Sequence, residues 1–214
     1  MSIKSCLCKI DDAYFINLNN NLDRLYNINS QADFPIHRFE ATPASNFNDM
    51  PNLSLTEQAC FDSHYKLWQT SLTYNQSLLI VEDDAVFHPH FKDLWEYKYC
   101  KLMPQNYSLI YLGGCLNVNQ KHYHKVIHKY NQHFYTIKKN NFFKKSSHYW
   151  HMTSICYIIS PKGAKVLIDS RKAYGTNMPV DHFMIEHLSE VDTPPLYHSF
   201  PQLVAQSGLE SSIK

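Results

Sequence analysis

Long hydrophobic runs are missing from this sequence of 214 residues. The apolar run at 78–81 has roughly four residues, and no run in the chain approaches the length of about 20 residues that a helix crossing a bilayer needs. The first ten residues also lack the apolar stretch of a secretory signal peptide. We therefore expect neither a membrane-spanning helix nor a signal peptide. We expect a cytoplasmic protein, which leaves room for peripheral association with the inner face of the membrane.

Regularly spaced cysteines and glycine-rich motifs are missing as well. The six cysteines form no CxxC pair, so we predict no disulfide framework and expect reduced, mostly buried thiols. GxxxxGK[ST], GxGxxG and GxSxG do not occur, which removes the motif evidence for P-loop kinases, classical dinucleotide-binding enzymes and α/β-hydrolases. The 13 histidines show no regular zinc-binding pattern, so zinc is not expected.

Acidic residues are absent between Glu96 and Asp169, although the net charge of the whole chain is only +1. Eleven lysines lie in this stretch. A basic segment indicates an anionic partner, such as a nucleotide diphosphate, an anionic lipid or glycolipid surface, or a nucleic acid. A solvated basic loop is the alternative interpretation.

The hydrophobic pattern predicts strands that alternate with helices. The helix after Ser54 begins with a capping box, in which Ser54 and Glu57 satisfy each other's free backbone donors. The alternation is typical of an α/β fold with a mostly parallel central sheet flanked by helices. The predicted strands are 13–18, 34–39, 78–81, 107–112, 155–159 and 196–200, and the predicted helices are 20–30, one opened by the capping box, 91–102, 161–171 and 179–190.

Three carboxylates, Glu82, Asp83 and Asp84, directly follow the predicted strand at 78–81. Their mutual repulsion is unfavourable unless a cation or solvent relieves it. Ligands of open α/β sheets bind beyond the carboxyl ends of the strands, and oxygen ligands there suit Mg²⁺ or Mn²⁺. The triplet therefore predicts a metal site, with a solvated acidic turn as the alternative.

The triplet lies in a segment, LIVEDDAVF at 79–87, that looks like the "LILEDDV" motif of glycosyltransferase family 25. Other segments match motifs of the same family in the same order, and together they make the chain resemble this family. Its members extend bacterial lipooligosaccharide chains, often as galactosyltransferases, and include the collagen galactosyltransferases. The other matching segments are YFINL at 14–18 with Asp23-Arg24, RFEA at 38–41, EQACFDSHYKLW at 57–68, YLG at 111–113, CYIISPKGA at 156–164, PVDHF at 179–183, and PQLVAQS at 201–207 with Ser212-Ile213.

The resemblance implies a single domain with a GT-A-like, Rossmann-type glycosyltransferase fold. Its nucleotide-sugar half would span about 1–114 and its acceptor half about 115–214. It also implies metal-dependent transfer of a hexose, galactose by analogy, from a UDP-sugar to a glycan or glycolipid hydroxyl with inversion. This transfer would be a step in lipooligosaccharide or surface glycan synthesis. Mn²⁺ or Mg²⁺ would bridge the donor diphosphate and stabilise the UDP leaving group.

The acidic triplet stands where GT-A enzymes carry their metal-binding DxD motif. Asp84 is the predicted direct ligand, and Glu82 is either a second ligand or, like Asp83, a contact to the ribose or to a metal-bound water. No third protein ligand is apparent from the sequence, and His198, near a late predicted strand, is taken as the candidate.

An inverting transferase also needs a general base, and the "PVDH" resemblance assigns this role to Asp181. A helix-capping or first-turn aspartate is the alternative for Asp181, and His182 is the next candidate base. The matches also assign donor-site roles to four further residues. The four are Asn17, Arg24, Ser63 and His64. Arg24 could instead cap the first helix, and His64 could instead be a core residue.

Two residues depart from the family motif: Ala59 replaces the usual glycine, and Asp62 is an unusual acidic residue beside Ser63. The chain also looks short for the family. A non-catalytic sugar- or nucleotide-binding relative is therefore the second hypothesis. A nucleic-acid-binding protein that uses the basic segment is the third, and it leaves the acidic triplet unexplained; no nucleic acid partner is expected.

Overall fold

The computed structural model describes residues 7–114, 127–137, 153–189 and 193–207. Eight strands form one sheet, and a two-stranded ribbon lies beside it. The sheet strands are β1 Asp12–Asn17, β2 His37–Glu40, β3 Leu78–Glu82, β5 Leu109–Tyr111, β6 Ile127–Lys129, β7 Phe134–Ile137, β8 Cys156–Ile159 and β9 Leu196–Ser199, and the ribbon strands are β4 Ala85–Phe87 and β10 Val204–Gln206.

The strand order in the sheet is β2-β1-β3-β8-β5-β9-β7-β6. Six strands run in one direction, while β8 and β7 run in the opposite direction. The expected α/β fold with a mostly parallel sheet is therefore confirmed. The antiparallel strand β8 between β3 and β5 was not predicted, because its pairing joins segments far apart in the sequence.

Helices cover both faces of the sheet, and the alternation along β3 shows why. Leu79 and Val81 face one hydrophobic core, whereas Leu78 and Ile80 face the other. A strand buried on both faces reads as an unbroken apolar run, as 78–81 does. The helices are α1 Leu22–Gln31, α2 Leu55–Tyr74, α3 Phe91–Leu94, α4 Cys100–Leu102, α5 Pro161–Tyr174 and α6 Val180–Leu188, with a π-helical turn at Trp95–Tyr99 and a 3₁₀ turn at Ala44–Asn46.

The capping signals in the sequence set the helix starts. The Ser54–Glu57 capping box is present at the start of α2, and the Ser160 side chain accepts a hydrogen bond from Gly163 N at the start of α5. A Cβ on Gly163 would lie 2.2 Å from the Ser108 carbonyl oxygen, so glycine permits the close approach of α5 to the strand β5 region. These features confirm the predicted starts of α2 and α5, whereas the single helix predicted at 91–102 is divided by the π-helical turn at Trp95–Tyr99.

Cys8 and Cys100 form a disulfide across 92 residues, so the expectation that no cysteines pair was wrong for these two. Their separation in the sequence exceeds any local spacing pattern, and only the fold brings them together. Cys60 and Cys156 are free thiols. Within the described residues, the helices are all too short or too polar to span a lipid bilayer.

The segment 115–150 is described only at 127–137, where β6 and β7 form a hairpin that extends the sheet beyond β9. The lysines Lys121, Lys125, Lys138, Lys139, Lys144 and Lys145 lie outside the described residues.

Candidate active site at the junction of two cavities

A cavity of about 140 Å³ lies beyond the carboxyl ends of β1 and β3. Its walls include side chains from α1 and α2 and the turn that follows β3. All three carboxylates of the triplet line it, and so does Gln206 from the distant strand β10. The ribbon brings Gln206 there, because β10 pairs with β4 and places Gln206 opposite Ala85. We call this space the first cavity.

A larger cavity of about 280 Å³ lies next to it. It is lined by the start of α6, including Asp181 and His182, by Glu57, and by Ser154 at the approach to β8. We call this space the second cavity. Three residues line both cavities and so form their common wall: Cys60, Glu82 and Gln206.

Asp83 is the centre of a buried polar network. Its two carboxylate oxygens accept hydrogen bonds from Arg24 Nη1 at 2.7 Å and from Asn17 Nδ2 at 2.8 Å. Arg38 Nε donates in turn to Asn17 Oδ1 at 3.0 Å, and Asn27 Nδ2 donates to the Asp83 carbonyl oxygen at 3.2 Å. Asp83 thus joins α1, β1 and β2 to the end of β3, and this structural role was missed from the sequence.

Two of the predicted donor-site residues belong to this network. Asn17 is buried and lines neither cavity. Arg24 lines the first cavity, with its Nη1 4.0 Å from Asp84 Oδ2. The N-cap of α1 is Asn21, which accepts from Arg24 N at 3.3 Å, so the Arg24 guanidinium is not the cap.

Asp84 is only 4% exposed, and its carboxylate is incompletely bonded. Gln206 Nε2 donates to Asp84 Oδ2 at 3.0 Å, while Oδ1 is buried without a hydrogen-bond partner among the described residues. Burial raises the pKa of Asp84, and repulsion from Glu82 and Asp83 adds to this, against the opposing effects of Gln206 and Arg24. A buried carboxylate oxygen without a donor is a group that a cation would satisfy.

Glu82 ends β3 on the wall between the cavities. Its Oε1 accepts a hydrogen bond from Ser154 Oγ and lies 3.4 Å from His64 Nε2. Burial raises the pKa of Glu82, but His64, Ser154 and the charge of Arg24 together outweigh burial and lower it. Glu82 is therefore held as a carboxylate.

His64 is fully buried, and its ring connects Glu82 to the core. His64 Nδ1 lies 2.7 Å from the Tyr157 hydroxyl, which also accepts a hydrogen bond from Trp68 Nε1 at 3.0 Å. His64 Nε2 faces the Glu82 carboxylate without hydrogen-bond geometry. The buried ring fits the core-histidine interpretation, and it also lines the first cavity, while a donor-site role for His64 stays a prediction.

Cys60 is a site residue that the sequence analysis did not identify. It lies one turn before His64 on α2, and the ligand atoms of Cys60, His64 and Glu82 all lie within 4.8 Å of one another. Burial raises the pKa of the Cys60 thiol, and the carboxylates Glu82, Asp181 and Asp84 raise it further. The Cys-x₃-His spacing on a predicted helix was the available signal.

Asp181 lies in the first turn of α6, one residue after the first helical position, and the N-cap of this helix is Pro179. Asp181 is therefore a first-turn aspartate and not the N-cap. Burial raises the pKa of Asp181, and the Glu82 charge raises it further, while His182 lowers it through its charge and its backbone N–H. The exposed His182 lines the same cavity.

His198 lies on β9, opposite Tyr111 on β5, and lines neither cavity. Its ring is buried, and burial lowers its pKa to about 4. His198, Glu82 and Asp84 do not form a compact ligand group among the described residues. The role of His198 as a third metal ligand stays a prediction without geometric support.

The unusual Asp62 has a structural explanation. It forms ion pairs with Lys66 Nζ at 2.8 Å and with Arg171 Nη2 at 3.9 Å, and it accepts a hydrogen bond from Thr42 Oγ1 at 2.8 Å. The predicted donor-site residue Ser63 lies beside it and lines the first cavity. Its hydroxyl accepts from Thr42 N at 2.9 Å. The pair therefore ties the segment after β2 to α2 at the cavity wall.

The oxygen atoms around the first cavity are suitable ligands for a hard divalent cation. The oxygen atoms of Glu82 and Asp84 line the cavity, and Asp84 Oδ1 lacks a partner. Mg²⁺ and Mn²⁺ prefer carboxylate oxygens and usually hold substrate phosphates as well. Asp84 and Glu82 would hold the ion.

Comparison with known proteins agrees with the motifs. The sequence profile of glycosyltransferase family 25 (LPS biosynthesis protein) matches residues 10–184. Human procollagen galactosyltransferase 2 is 27% identical over 156 residues, which are 70% of this chain and 21% of the human protein. The chain thus spans about a fifth of the length of this curated relative.

Two solved structures align with most of this chain but share little sequence with it. A glycosyltransferase involved in the glycosylation of the major capsid of PBCV-1 is 7% identical, with a TM-score of 0.47 over 91% of this chain and 92% of that protein. The inositol-1-phosphate CTP transferase from T. maritima is 8% identical, with a TM-score of 0.41 over 91% of this chain and 69% of that protein.

Proposed function

Since the chain belongs to glycosyltransferase family 25, we propose that it transfers a hexose from a UDP-sugar to a hydroxyl of a glycan or glycolipid, with inversion and with a divalent cation. Galactose is the proposed sugar, because the human relative is a procollagen galactosyltransferase by name and the motif resemblance implies the same donor. The proposed setting is lipooligosaccharide or surface glycan synthesis.

The first cavity is the proposed donor site. Asp84 and Glu82 would hold Mn²⁺ or Mg²⁺, and the bound ion would stabilise negative charge on the diphosphate of the leaving UDP. Arg24 lines the same cavity, and its guanidinium supplies a fixed positive charge beside the carboxylates. Apart from Gln206, the lining residues all precede residue 114, which supports a nucleotide-sugar half at about 1–114 and an acceptor half at about 115–214.

The second cavity is the proposed acceptor site, with Asp181 as the general base. The acceptor oxygen attacks the anomeric carbon, the bond from that carbon to the UDP oxygen breaks, and Asp181 takes the hydroxyl proton. A base works best when its pKa is close to the working pH, and the raised pKa of Asp181 moves it in that direction. Glu82 is less suited, because its pKa is lowered and Ser154 occupies one of its oxygens.

One observation carries this proposal: two cavities meet at Glu82, with the unsatisfied carboxylate oxygen of Asp84 on one side and Asp181 on the other. A panel of UDP-sugars with Mn²⁺, read by thermal shift and by UDP release, tests it. We expect UDP release with UDP-galactose that stops on chelation. Donor binding without turnover across acceptors would instead identify a non-catalytic relative. Steeply salt-dependent binding to random DNA or RNA, without donor binding, would favour the nucleic-acid hypothesis.

Peripheral membrane association is the remaining part of the proposal, and it rests on sequence alone. Neutralising Lys138, Lys139, Lys144 and Lys145 should weaken binding to anionic vesicles while UDP affinity stays unchanged. An equal loss of vesicle binding and of UDP affinity would assign this lysine-containing segment to the donor site. The cytoplasmic location stays a prediction, and the Cys8–Cys100 disulfide weighs against it, because disulfides are rare in reducing compartments.

A further inference from the structure

Three side chains of different chemistry meet on the wall between the two cavities. Cys60 and His64 are four residues apart on α2 and so lie on the same face of that helix. Glu82 approaches them from the end of β3. The Cys60 sulfur, a His64 ring nitrogen and a Glu82 oxygen all lie within 4.8 Å of one another.

The His64 ring supplies a second, independent observation. Its side chain is fully buried, and Nε2 has no hydrogen-bond partner among the described residues although it faces Glu82 Oε1 at 3.4 Å. Nδ1 lies 2.7 Å from the Tyr157 hydroxyl. Histidine ligands of metals commonly donate their other ring N–H to a neighbouring acceptor, and Tyr157 stands in that position. The ring is therefore fixed with an unpartnered nitrogen aimed into the cluster.

We propose that Cys60 Sγ, His64 Nε2 and Glu82 form a zinc site, separate in its chemistry from the oxygen-lined site of Asp84. A thiolate, an imidazole and a carboxylate are all established zinc ligands, and thiolate disfavours Mg²⁺ and Mn²⁺. The fourth position faces the two cavities, both of which Cys60 and Glu82 line. When zinc binds, a zinc–sulfur bond forms and the thiol proton leaves to solvent, with no change in oxidation state.

The geometry needs only a small adjustment to hold the ion. With bonds of about 2.0–2.3 Å, tetrahedral zinc ligands lie roughly 3.3–3.8 Å apart, so the cluster must contract by up to about 1 Å. Cys60 is half-buried beside open space, and a rotation of its side chain supplies this movement. The buried His64 and the strand end at Glu82 can stay in place.

Zinc at this position would occupy Glu82, which the proposed function uses for the catalytic cation. Zinc should then compete with the Mn²⁺-bound donor and inhibit transfer. This consequence rests on the proposed function, whereas the binding site itself does not. Metal binding is therefore measured without turnover, so that failure of the zinc site can be distinguished from failure of the proposed transferase function.

The test is titration of the full chain with Co²⁺, a spectroscopic substitute for zinc, in a background that carries Cys6→Ser and Cys115→Ser. Thiolate-bound Co²⁺ gives a near-ultraviolet charge-transfer band that histidine-only sites do not give. We expect the band to reach its full intensity at one Co²⁺ per chain. It should disappear when one equivalent of Zn²⁺ is added and persist in excess Mn²⁺. Cys60→Ser should abolish the band while the circular dichroism spectrum stays unchanged.

Two further variants test the ligand that the two sites share and the ligand that belongs to the carboxylate site alone. Glu82→Gln should weaken Co²⁺ binding at least about tenfold, because it removes a charged ligand. Asp84→Asn should leave the band intact, even though it removes the ligand proposed for Mn²⁺. Absence of the band in the background chain, or a band that survives Cys60→Ser, would overturn the zinc site. Loss of turnover with an intact band would concern only the proposed function.

Discussion

The two cavities differ in how their charged groups are held. In the first cavity, Asp83 is fixed by Arg24 and Asn17, and Asp84 is bonded by Gln206. In the second, Asp181 lies at the start of a helix and accepts a hydrogen bond from the backbone N–H of His182. The carboxylates of the first cavity are therefore held by side chains from distant elements, whereas the carboxylate of the second is held by the backbone of its own helix. Under the proposed function, the first cavity would bind the charged donor and the second would take the proton of the acceptor.

The sharpest test of this division is Asp84→Asn. The amide keeps the shape of the side chain but loses the charge that would hold the cation, so we expect no turnover above background. The pKa of Asp84 is raised in the fold. The ionised form therefore destabilises the protein once the pH rises through the folded pKa, and the melting temperature at neutral pH should stay unchanged or rise. Metal-dependent turnover that persists in this variant would remove Asp84 from the metal site.

Asp181→Asn should lower the transfer rate by about 10² to 10⁴, the usual contribution of a general base. The affinity for UDP-sugar should survive, because the base acts on the acceptor from the second cavity. Initial rates combined with donor titration measure the two effects separately. If donor binding disappears instead, Asp181 is a donor contact, and His182 becomes the next base to test.

Asp83→Asn is the matched control for Asp84→Asn, since the same change is made one residue away. We expect it to destabilise the fold by about 3 kcal/mol, because the buried Arg24 loses the charge of the nearer of its two carboxylate neighbours. Denaturant unfolding of the two variants measures the contrast. A stable Asp83→Asn protein that fails only to bind UDP would mean that Asp83 contacts the donor directly, as first predicted.

The pH dependence of transfer should report Asp181. Only the carboxylate form accepts a proton, so below its pKa the rate should fall about tenfold per pH unit. Because burial raises this pKa, the inflection should lie above the ordinary aspartate value of about 3.9. In Asp181→Asn the same inflection should be absent. An inflection unchanged in that variant would assign it to another group.

The local parts of this account could be predicted from sequence. Apolar runs, the Ser54–Glu57 capping box and the Ser160-Pro161 helix start depend on neighbouring residues, and the structure contains all of them. The acidic triplet follows the apolar run of β3 and lines the first cavity, while the metal site predicted there stays a prediction.

The long-range parts could not be predicted. The pairing of β8 between β3 and β5 and the Cys8–Cys100 disulfide join segments that only the complete fold brings together. Asp83 and Asp84 are adjacent and chemically identical, so sequence alone could not assign one to a buried ion pair and the other to a cavity. Gln206 completes the first cavity from a distant strand, which local patterns do not reveal.

The most direct test of the divided site is calorimetric titration of UDP with Mn²⁺ into Asp84→Asn and Asp181→Asn. Both changes replace one carboxylate with an amide, and they fall on opposite sides of Glu82. The account predicts that Asp84→Asn loses Mn²⁺-dependent UDP binding, while Asp181→Asn binds UDP as the unaltered chain does. Equal affinities in both variants, or loss of binding only in Asp181→Asn, would contradict it.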